Sequence, residues 1–358
     1  MTVRVVQWST GNVGRHAIIG IDARPDLELV GVFVSNPDKV GKDAGDLAGM
    51  DRELGVLATN DVDALIALRP DVICHTAMAD NRLVEAIEDL KMFLRAGIDV
   101  VSSSPVFLQF PWGVAPPEMV DPLEEAAAAG NASLFVNGID PGWANDALPL
   151  AVTGISERIE QVRCVEIMNY NTYNQPEVMF DIMGFGKPLD AADVFLLFPG
   201  VLSLAWGSVV RQLAAGLDVE LDEVTEWFEK EPAPHTFEID AGKIEEGTQA
   251  GLHFEVRGMK DGKAVIVLEH ATRLLDELRP DWPQPAGQGC YRVVVTGEPN
   301  YTVDLQLMGT DGDHNTAGLK ATAMRLVNAI PAVHALDKAG IVTALDLPMI
   351  TGRGLVRP

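Results

Sequence analysis

The segment Ser9-Thr10-Gly11-Asn12-Val13-Gly14-Arg15 carries the residue types that point most directly to a bound ligand. A β-branched run over residues 3–8 precedes it and a helical pattern over residues 15–23 follows, which predicts a strand, a tight turn and a helix. Glycines in such a turn let backbone amides approach a pyrophosphate at the helix N-terminus. The full fingerprint is Gly-x-Gly-x-x-Gly, and Ser9 stands in place of its first glycine. We predict a dinucleotide site here, the alternative being a turn that only allows close helix–strand packing.

The end of the second predicted strand, residues 27–34, indicates which dinucleotide binds. An acidic residue there would bond a ribose 2′-hydroxyl, whereas basic or hydroxyl-bearing residues would accept a 2′-phosphate. Ser35 and Asn36 follow this strand with Lys39 close behind, and Arg15 can also reach an anion. NADP is therefore favoured over NAD. NAD stays open because Asp38 lies in the same loop and Lys39 has an alternative role as an ordinary solvated charge.

Two titratable residues follow later predicted strands, at the carboxyl edge where such sheets bind ligands. His75 directly follows a buried strand, and a general acid there would have a pKa near the working pH. Asp140 lies in Ile139-Asp140-Pro141-Gly142, after the predicted strand at 133–136. Each residue also has a structural interpretation. His75 is then satisfied by backbone at a strand end, and Asp140 caps a helix that begins at Trp143.

Three aromatic residues, Trp143, Tyr170 and Tyr173, are candidates for a substrate pocket. They are rigid side chains that combine an apolar surface with a polar group, as pocket walls require. The alternative is that they belong to the core of a second domain or to a dimer interface.

The predicted elements define an α/β fold. Strands alternating with helices over residues 1–145 predict a doubly wound (Rossmann) parallel sheet. Residues 146–310 predict an α+β domain with antiparallel hairpins that turn at Asp261-Gly262 and at 298–300. An acidic stretch at 221–230 reads as a helix with Trp227 and Phe228 turned inward. Residues 311–358 form a closing helical segment, with a return to the first domain left open.

Composition excludes several classes of function. The 358 residues carry a formal charge of −25, which disfavours nucleic acid and acidic membranes as partners. The longest apolar run, residues 194–206, is short and contains a proline, so no membrane segment is expected. Three scattered cysteines predict no disulfide framework and fit the cytoplasm. The histidines show no metal-ligand spacing, so no metal is expected, and a serine-hydrolase elbow is absent.

Four segments resemble one enzyme family: Ser-Thr-Gly-Asn-Val-Gly at 9–14, Phe-Pro-Trp at 110–112, Asn-Gly-Ile-Asp-Pro-Gly-Trp at 137–143 and Gly-Ile-Val-Thr-Ala-Leu-Asp-Leu-Pro-Met-Ile-Thr-Gly-Arg-Gly at 340–354. They are similar to the 2,4-diaminopentanoate dehydrogenase and native amine dehydrogenase family, a branch of the dihydrodipicolinate reductase-like proteins. The resemblance spans essentially the whole chain. It implies an NAD(P)-binding domain, a second domain with substrate and dimer contacts, and reversible oxidative deamination of an amine.

One departure from that family bears on catalysis. The resemblance leads us to expect a glutamate a few residues before the Pro-Trp pair, where it would handle ammonium and iminium species. Residues 102–110 read Ser-Ser-Ser-Pro-Val-Phe-Leu-Gln-Phe and contain no acid. Asp140 is then the best remaining acid near the nicotinamide. Phe107 in this loop suggests an apolar pocket that prefers a small uncharged ketone or amine over a diamino acid.

Three hypotheses follow. The first is an NADP-dependent amine dehydrogenase, a homodimer that reductively aminates a small ketone or aldehyde with ammonia. The second is a reductase of imines or carbonyls that does not use ammonia, which the missing glutamate favours. The third is a non-catalytic protein that senses NADP(H). The fold does not decide among them.

Overall fold

The computed structural model describes residues 2–356, which divide into two compact units. The described residues up to Ile139 and from Leu319 onward form the first unit, and Asp140–Gly318 form the second. The strands are β1 (Val3–Trp8), β2 (Leu27–Phe33), β3 (Ala58–Thr59), β4 (Val72–His75), β5 (Asp99–Ser102), β6 (Ser133–Val136), β7 (Arg158–Asn169), β8 (Glu223–Pro232), β9 (Phe237–Ile239), β10 (Gly242–Ile244), β11 (Gln249–Lys260), β12 (Lys263–Arg273), β13 (Cys290–Glu298), β14 (Tyr301–Leu305) and β15 (Gly340–Val342). The α-helices are α1 (Asn12–Asp22), α2 (Ala44–Ala48), α3 (Val62–Ala67), α4 (Leu83–Arg95), α5 (Pro117–Gly130), α6 (Ala147–Thr153), α7 (Val201–Gly216) and α8 (His314–His334).

The first unit contains a seven-stranded parallel sheet in the order β15-β6-β5-β4-β1-β2-β3. Every residue of β4 and β6 is buried, as expected for strands covered by helices on both faces. The chain runs outward from β1 first through β2 and later through β4, so the strand order reverses between β1 and β4. Doubly wound sheets bind ligands at this switch point. The predicted Rossmann sheet is confirmed.

The C-terminal segment contributes to this same core. Side chains of α8 between Ala323 and Val333 pack in one apolar cluster with β1, β4, β5 and β6. β15 extends the sheet by pairing parallel to β6, with Ile341 opposite Leu134.

The second unit contains a six-stranded sheet in the order β14-β13-β7-β12-β11-β8. β7 and β12 are parallel, and the other neighbours are antiparallel. The two predicted hairpins connect β11 to β12 and β13 to β14, and the predicted α+β class is confirmed. Apolar side chains of α7, including Val209 and Leu213, share a core with Phe254 and Leu268 of the sheet.

The expected acidic helix at 221–230 is wrong, because this segment is the edge strand β8. It pairs antiparallel with β11 from Glu223 to Pro232, and that long pairing, together with the β-branched and aromatic residues of the strand, outweighs the helical preference of its glutamates. Trp227 and Phe228 are 38% and 42% exposed rather than turned inward.

Candidate functional site

The predicted phosphate loop joins β1 to α1 in the first unit. Gly11 is the N-cap of α1 and provides no side-chain cap, and the first turn of the helix carries no acid. The first N–H groups of a helix have no partner within it, and the helix dipole adds positive potential there. Ser9 begins the turn with a φ of 79°, and its N–H donates to the carbonyl of Phe33 at 3.0 Å. This helix end can receive an anionic group.

The two glycines of the loop have different surroundings. A Cβ on Gly14 would lie 2.2 Å from the Ser9 carbonyl oxygen and 2.8 Å from Thr76 Oγ1, so no side chain fits there. A Cβ on Gly11 would meet only Ser9 Oγ, at 3.9 Å. Gly14 therefore permits the fold of the turn itself, whereas Gly11 leaves open space above it. The loop fits a dinucleotide pyrophosphate.

Two residues that the sequence did not reveal hold this loop. The buried amide of Gln7 donates to the Ser9 carbonyl at 2.9 Å and to Thr76 Oγ1 at 2.8 Å. Thr76 Oγ1 in turn donates to the carbonyl of Trp8 at 3.1 Å. Because Gln7 lies on β1 and Thr76 follows β4, these bonds tie the loop to both strands of the switch point.

Among the residues predicted to choose the dinucleotide, Lys39 has a side chain that bonds the loop. Its Nζ donates to Thr10 at 3.1 Å from Oγ1 and 3.3 Å from the carbonyl oxygen. Ser35 and Asn36 are exposed, and Asn36 Oδ1 accepts from the N–H of Asp38 at 2.9 Å. Arg15 is also exposed, just past Gly14. One lysine charge is thus fixed beside the predicted phosphate site.

His75 is fully buried at the carboxyl end of β4. The Ser102 hydroxyl donates to the Ser104 carbonyl at 2.5 Å, so it accepts from His75 Nδ1 at 2.9 Å, and the imidazole proton is on Nδ1. Nε2 has no hydrogen-bond partner among the described residues. Burial, with the nearby charge of Arg82, lowers the pKa of His75 to about 3. The expected pKa near the working pH is therefore wrong, and this imidazole is neutral.

Asp140 is the first residue of the second unit, in a turn whose backbone is extended rather than helical. The helix expected from Trp143 begins instead at Ala147, with Asp146 as its N-cap, so the capping interpretation of Asp140 is wrong. Asp140 Oδ1 accepts from the Trp206 indole at 2.9 Å and pairs with His270 Nε2 at 3.1 Å. Both bonds go to Oδ1. Oδ2 accepts no hydrogen bond from the described residues.

Asp140 belongs to a buried group of five side chains that we call the acid–base cluster. The other four are Glu166, His270, Tyr170 and Tyr291. The His270 Nδ1 and Glu166 Oε1 atoms are 3.7 Å apart. Both tyrosine hydroxyls donate to Glu166. The side chains of Asp140, Glu166 and His270 are only 4%, 3% and 5% exposed, so their charges are poorly screened.

The ionisation of the cluster is strongly perturbed. Burial raises the pKa of Glu166 to about 7, assisted by the charge of Asp140 and opposed by His270 and the two tyrosines. Burial alone would lower the pKa of His270, but the charges of Asp140 and Glu166 outweigh it and raise that pKa. Burial, and then the charge of Glu166, raises the pKa of both tyrosines, which stay protonated. Perturbed pKa values of this kind are typical of functional sites.

Sequence reasoning found Asp140 and Tyr170 but missed Glu166, His270, Trp206 and Tyr291. The strand positions of Glu166 and His270 carried an available signal, because each is a charged or titratable residue inside an otherwise apolar strand run. Such a residue is rarely buried without a partner.

The other predicted pocket residues are dispersed. Phe107 is buried in the first unit, in a short 3-10 helix from Val106 to Gln109. Trp143 is half-buried in the second unit. Tyr170 and Tyr173 stack with centroids 4.8 Å apart and pack against the core of the second unit.

The fold also brings together two groups of potential metal ligands that the sequence spacing does not show. In the described part of the chain, ligand atoms of three members of the acid–base cluster lie within 4.8 Å of one another, as do those of His253, Glu255 and Glu269. In the first group, the Trp206 indole already donates to Asp140 and two tyrosine hydroxyls donate to Glu166. In the second, the Arg163 guanidinium bonds both glutamates. Because these donors already compensate the carboxylates, we assign a metal to neither group.

Comparisons with known proteins identify the family to which this chain belongs. The family described as 2,4-diaminopentanoate dehydrogenase C-terminal domain matches residues 144–354. An amine dehydrogenase of Streptomyces virginiae is 40% identical over 351 residues, covering 97% of this chain and 96% of that protein. The chain belongs to the 2,4-diaminopentanoate dehydrogenase and amine dehydrogenase family. The resemblance seen in the sequence is confirmed, and this family member is an oxidoreductase that acts on CH–NH2 groups with a nicotinamide cofactor.

Two further comparisons give a more distant relative and a solved structure with the same fold. The 2,4-diaminopentanoate dehydrogenase of Acetoanaerobium sticklandii is 21% identical over 301 residues, covering 80% of this chain and 78% of that protein. The solved structure of an amine dehydrogenase from Mycobacterium smegmatis shares the fold with a TM-score of 0.81 at 22% identity, covering 99% of this chain and 98% of the other. Within residues 2–356, no helix combines the length and apolar character that crossing a membrane requires.

Proposed function

We propose that this family member is an NADP-dependent amine dehydrogenase that interconverts a small ketone or aldehyde and ammonia with a primary amine. The observation that carries the proposal is Asp140, a buried carboxylate with one oxygen bonded by two side chains and the other without a hydrogen bond from the described residues. The expected glutamate is absent from residues 102–110, and Asp140 provides the carboxylate instead.

The chemistry explains why a carboxylate is needed. An ammonium ion and a ketone condense to an iminium ion and water, and hydride addition to the iminium carbon gives the amine. A cationic iminium in a buried site is unfavourable unless a fixed negative group compensates its charge. The bonds from Trp206 and His270 orient Asp140 before substrate arrives, so little reorganisation is needed during the reaction.

NADPH would supply the hydride for reductive amination, and NADP+ would accept it in the reverse direction. The amides at the start of α1, between Gly11 and Gly14, would hold the pyrophosphate, and Lys39 would meet the 2′-phosphate. The contact between Lys39 and Thr10 supports NADP over NAD, because it fixes a cation beside the loop and no carboxylate within residues 2–356 is bonded to that cation.

The substrate we propose is small and otherwise uncharged. Phe107, Trp143, Tyr170 and Tyr173 are the side chains we propose for substrate contact, and none carries a charge that would bind the second ammonium or the carboxylate of a diamino acid. His75, which is neutral, is proposed as a hydrogen-bonding residue rather than as an acid.

We also propose a cytoplasmic homodimer. The three cysteines, Cys74, Cys164 and Cys290, are all unpaired and buried, which supports a reducing compartment. Light scattering should give twice the chain mass of 38.5 kDa, and a monomer at micromolar concentration would contradict the dimer.

The test of the activity is NADPH oxidation with cyclohexanone, with and without ammonium chloride. We expect oxidation that requires ammonium and yields cyclohexylamine. Equal oxidation without ammonium would replace the proposal with a carbonyl reductase. Tight NADPH binding without turnover of any of a panel of small ketones and aldehydes would replace it with a cofactor-sensing protein.

A further inference from the structure

One row of side chains crosses the sheet of the second unit at a single register. His270 of β12 pairs with Glu166 of β7, and Tyr291 of β13 pairs with Glu166 from the other side. On the far side of His270, Phe254 of β11 is its partner, and the two rings stack with centroids 4.5 Å apart. Residues paired in this way lie side by side on one face of a sheet. The fold therefore fixes the distance between His270 and Glu166 through backbone hydrogen bonds.

The hydrogen bonds around this row determine every proton position except one, which is either on His270 Nδ1 or on Glu166. An indole nitrogen only donates, so Asp140 Oδ1 accepts from Trp206, and His270 Nε2 must also donate to this oxygen when Asp140 is ionised. His270 Nδ1 then faces Glu166 Oε1 at 3.7 Å. This separation is too long for a direct hydrogen bond, and Glu166 Oε1 already accepts from the Tyr170 hydroxyl. Without a proton on either residue, the buried pair would add a second negative charge beside that of Asp140. With one proton, the pair is neutral whichever atom holds it.

We propose that His270 and Glu166 share one proton behind Asp140, and that a cationic amine bound at Asp140 releases this proton to solvent. The inference rests on the proposed amine substrate. His270 and Glu166 are positioning residues here, because they act through Asp140 and not on the substrate itself.

The net charge of the acid–base cluster determines whether its affinity for a cationic amine rises or falls with pH. With the shared proton, the cluster carries only the charge of Asp140; without it, a second negative charge remains. A cation binds the second state more tightly, since charges a few ångströms apart interact strongly in a poorly hydrated site. The raised pKa of His270 and of Glu166 agrees with a proton retained at neutral pH. Affinity for the amine should therefore increase as the pH rises.

Other ionisable groups near this row do not reverse the predicted increase in amine affinity with pH. Glu269, whose pKa is lowered despite its burial, adds negative charge near His270 and so helps retain the proton. Tyr173 lies next to the two tyrosines that donate to Glu166. Burial raises the pKa of the Cys164 thiol, which stays neutral beside Asp140.

The shared proton can be observed directly by ¹⁵N NMR of the histidine side chains. In the wild type we expect His270 to titrate above its ordinary value, with the proton on Nε2 throughout. Glu166→Gln removes a negative charge beside His270 and should lower the pKa of His270 by at least one unit. One pKa unit corresponds to about 1.4 kcal/mol, which the loss of one nearby charge can supply. The exposed Glu160→Gln on the same strand is the matched control and should change nothing. An unchanged His270 titration in Glu166→Gln would overturn the shared proton.

The coupling to substrate is tested by the KM of propan-2-amine in NADP reduction between pH 6 and pH 9, where this amine stays protonated as a lysine side chain does. In the wild type, KM should fall about tenfold across this range, whereas in Glu166→Gln it should stay flat near the wild-type value at low pH. Tyr291→Phe, which removes one hydrogen bond that favours ionised Glu166, should move the wild-type profile to higher pH.

These results separate the inference from the proposed function. A flat wild-type profile, or a profile that Glu166→Gln leaves unchanged, overturns the coupling while amine turnover stands. If no amine supports NADP reduction, both the proposed function and the coupling are overturned. The NMR titration still decides whether His270 and Glu166 share a proton.

Discussion

The phosphate loop of the first unit and the acid–base cluster of the second are both polar sites held by strands, but they are encoded differently. The loop is a continuous segment, residues 9–14, that presents backbone amides and needs the absence of a side chain at Gly14. The cluster draws Asp140, Glu166 and His270 from widely separated positions and needs each side chain to be present. A short motif can reveal the first kind of site, whereas only the register of a folded sheet reveals the second.

The difference extends to what disrupts each site. A backbone site fails when atoms are added, because close approach is lost. A carboxylate site fails when a charge is removed, even if the shape is kept. Single substitutions at the two sites should therefore differ in the size and the kind of their effect.

The largest effect is expected for Gly14→Ala. The added methyl carbon would lie 2.2 Å from the Ser9 carbonyl oxygen, so the turn must open and the amides at the start of α1 lose their arrangement. We expect the affinity for NADPH, measured by fluorescence titration, to fall by roughly 100-fold or more, as close backbone approach to the pyrophosphate is lost.

Gly11→Ala is the matched control for this loop. Its Cβ has 3.9 Å of clearance to Ser9 Oγ, so we expect a melting temperature close to that of the wild type. If Gly14→Ala bound NADPH as the wild type does, the loop would not be the phosphate site.

The next effect is expected for Asp140→Asn, which keeps the shape and removes the charge. Amination kcat should fall by about two orders of magnitude with NADPH affinity unchanged, since the charge compensates a cationic intermediate. Steady-state kinetics and calorimetric titration measure the two quantities.

Asp146→Asn is the comparison variant for Asp140. Asp146 caps α6 and bonds Gln212 at 3.2 Å, so its replacement should lower the melting temperature and leave turnover in the folded fraction intact. Full activity in Asp140→Asn would assign that residue a structural role and leave the carboxylate of this enzyme unidentified.

A smaller effect is expected for Lys39→Ala. Losing one charge-assisted contact to a 2′-phosphate should weaken NADP by about tenfold and leave NAD unchanged. Lys42→Ala, an exposed lysine three residues on, should leave both affinities unchanged. Calorimetry with both cofactors decides, and equal losses for the two would show that Lys39 does not read the 2′-phosphate.

The smallest effect is expected for His75→Asn, in the pH dependence of stability. The pKa of His75 is lowered from 6.5 to about 3, so its contribution to stability is complete above about pH 6.5 and is lost as the pH falls towards 3. That loss reaches at most about 1.4 kcal/mol per pH unit. Unfolding free energies at pH 5 and pH 7.5 should differ less in His75→Asn than in the wild type. The exposed His235→Asn should keep the wild-type difference, and an equal difference in His75→Asn would show that His75 titrates normally.

Much of the fold follows from sequence because alternating strand and helix patterns repeat along the first unit, and hairpin turns such as Asp261-Gly262 are local signals. The sequence predicts a helix in place of β8 because the pairing of this strand with β11 is a long-range property that an acidic run does not display. The phosphate loop was found as a motif, but Gln7 and Thr76, which hold it, belong to no local pattern. Likewise Asp140 was found in a loop, whereas Glu166 and His270 meet only through strand register.

The most direct test of the account is the fate of nitrogen from ¹⁵N-labelled ammonium, with NADPH, cyclohexanone and the wild-type protein, followed by mass spectrometry of the product. We predict cyclohexylamine that carries the label, formed in equal amount to the NADPH consumed and strongly reduced in Asp140→Asn. NADPH consumption that yields cyclohexanol, or labelled amine formed equally well by Asp140→Asn, would contradict an amine dehydrogenase that works through Asp140.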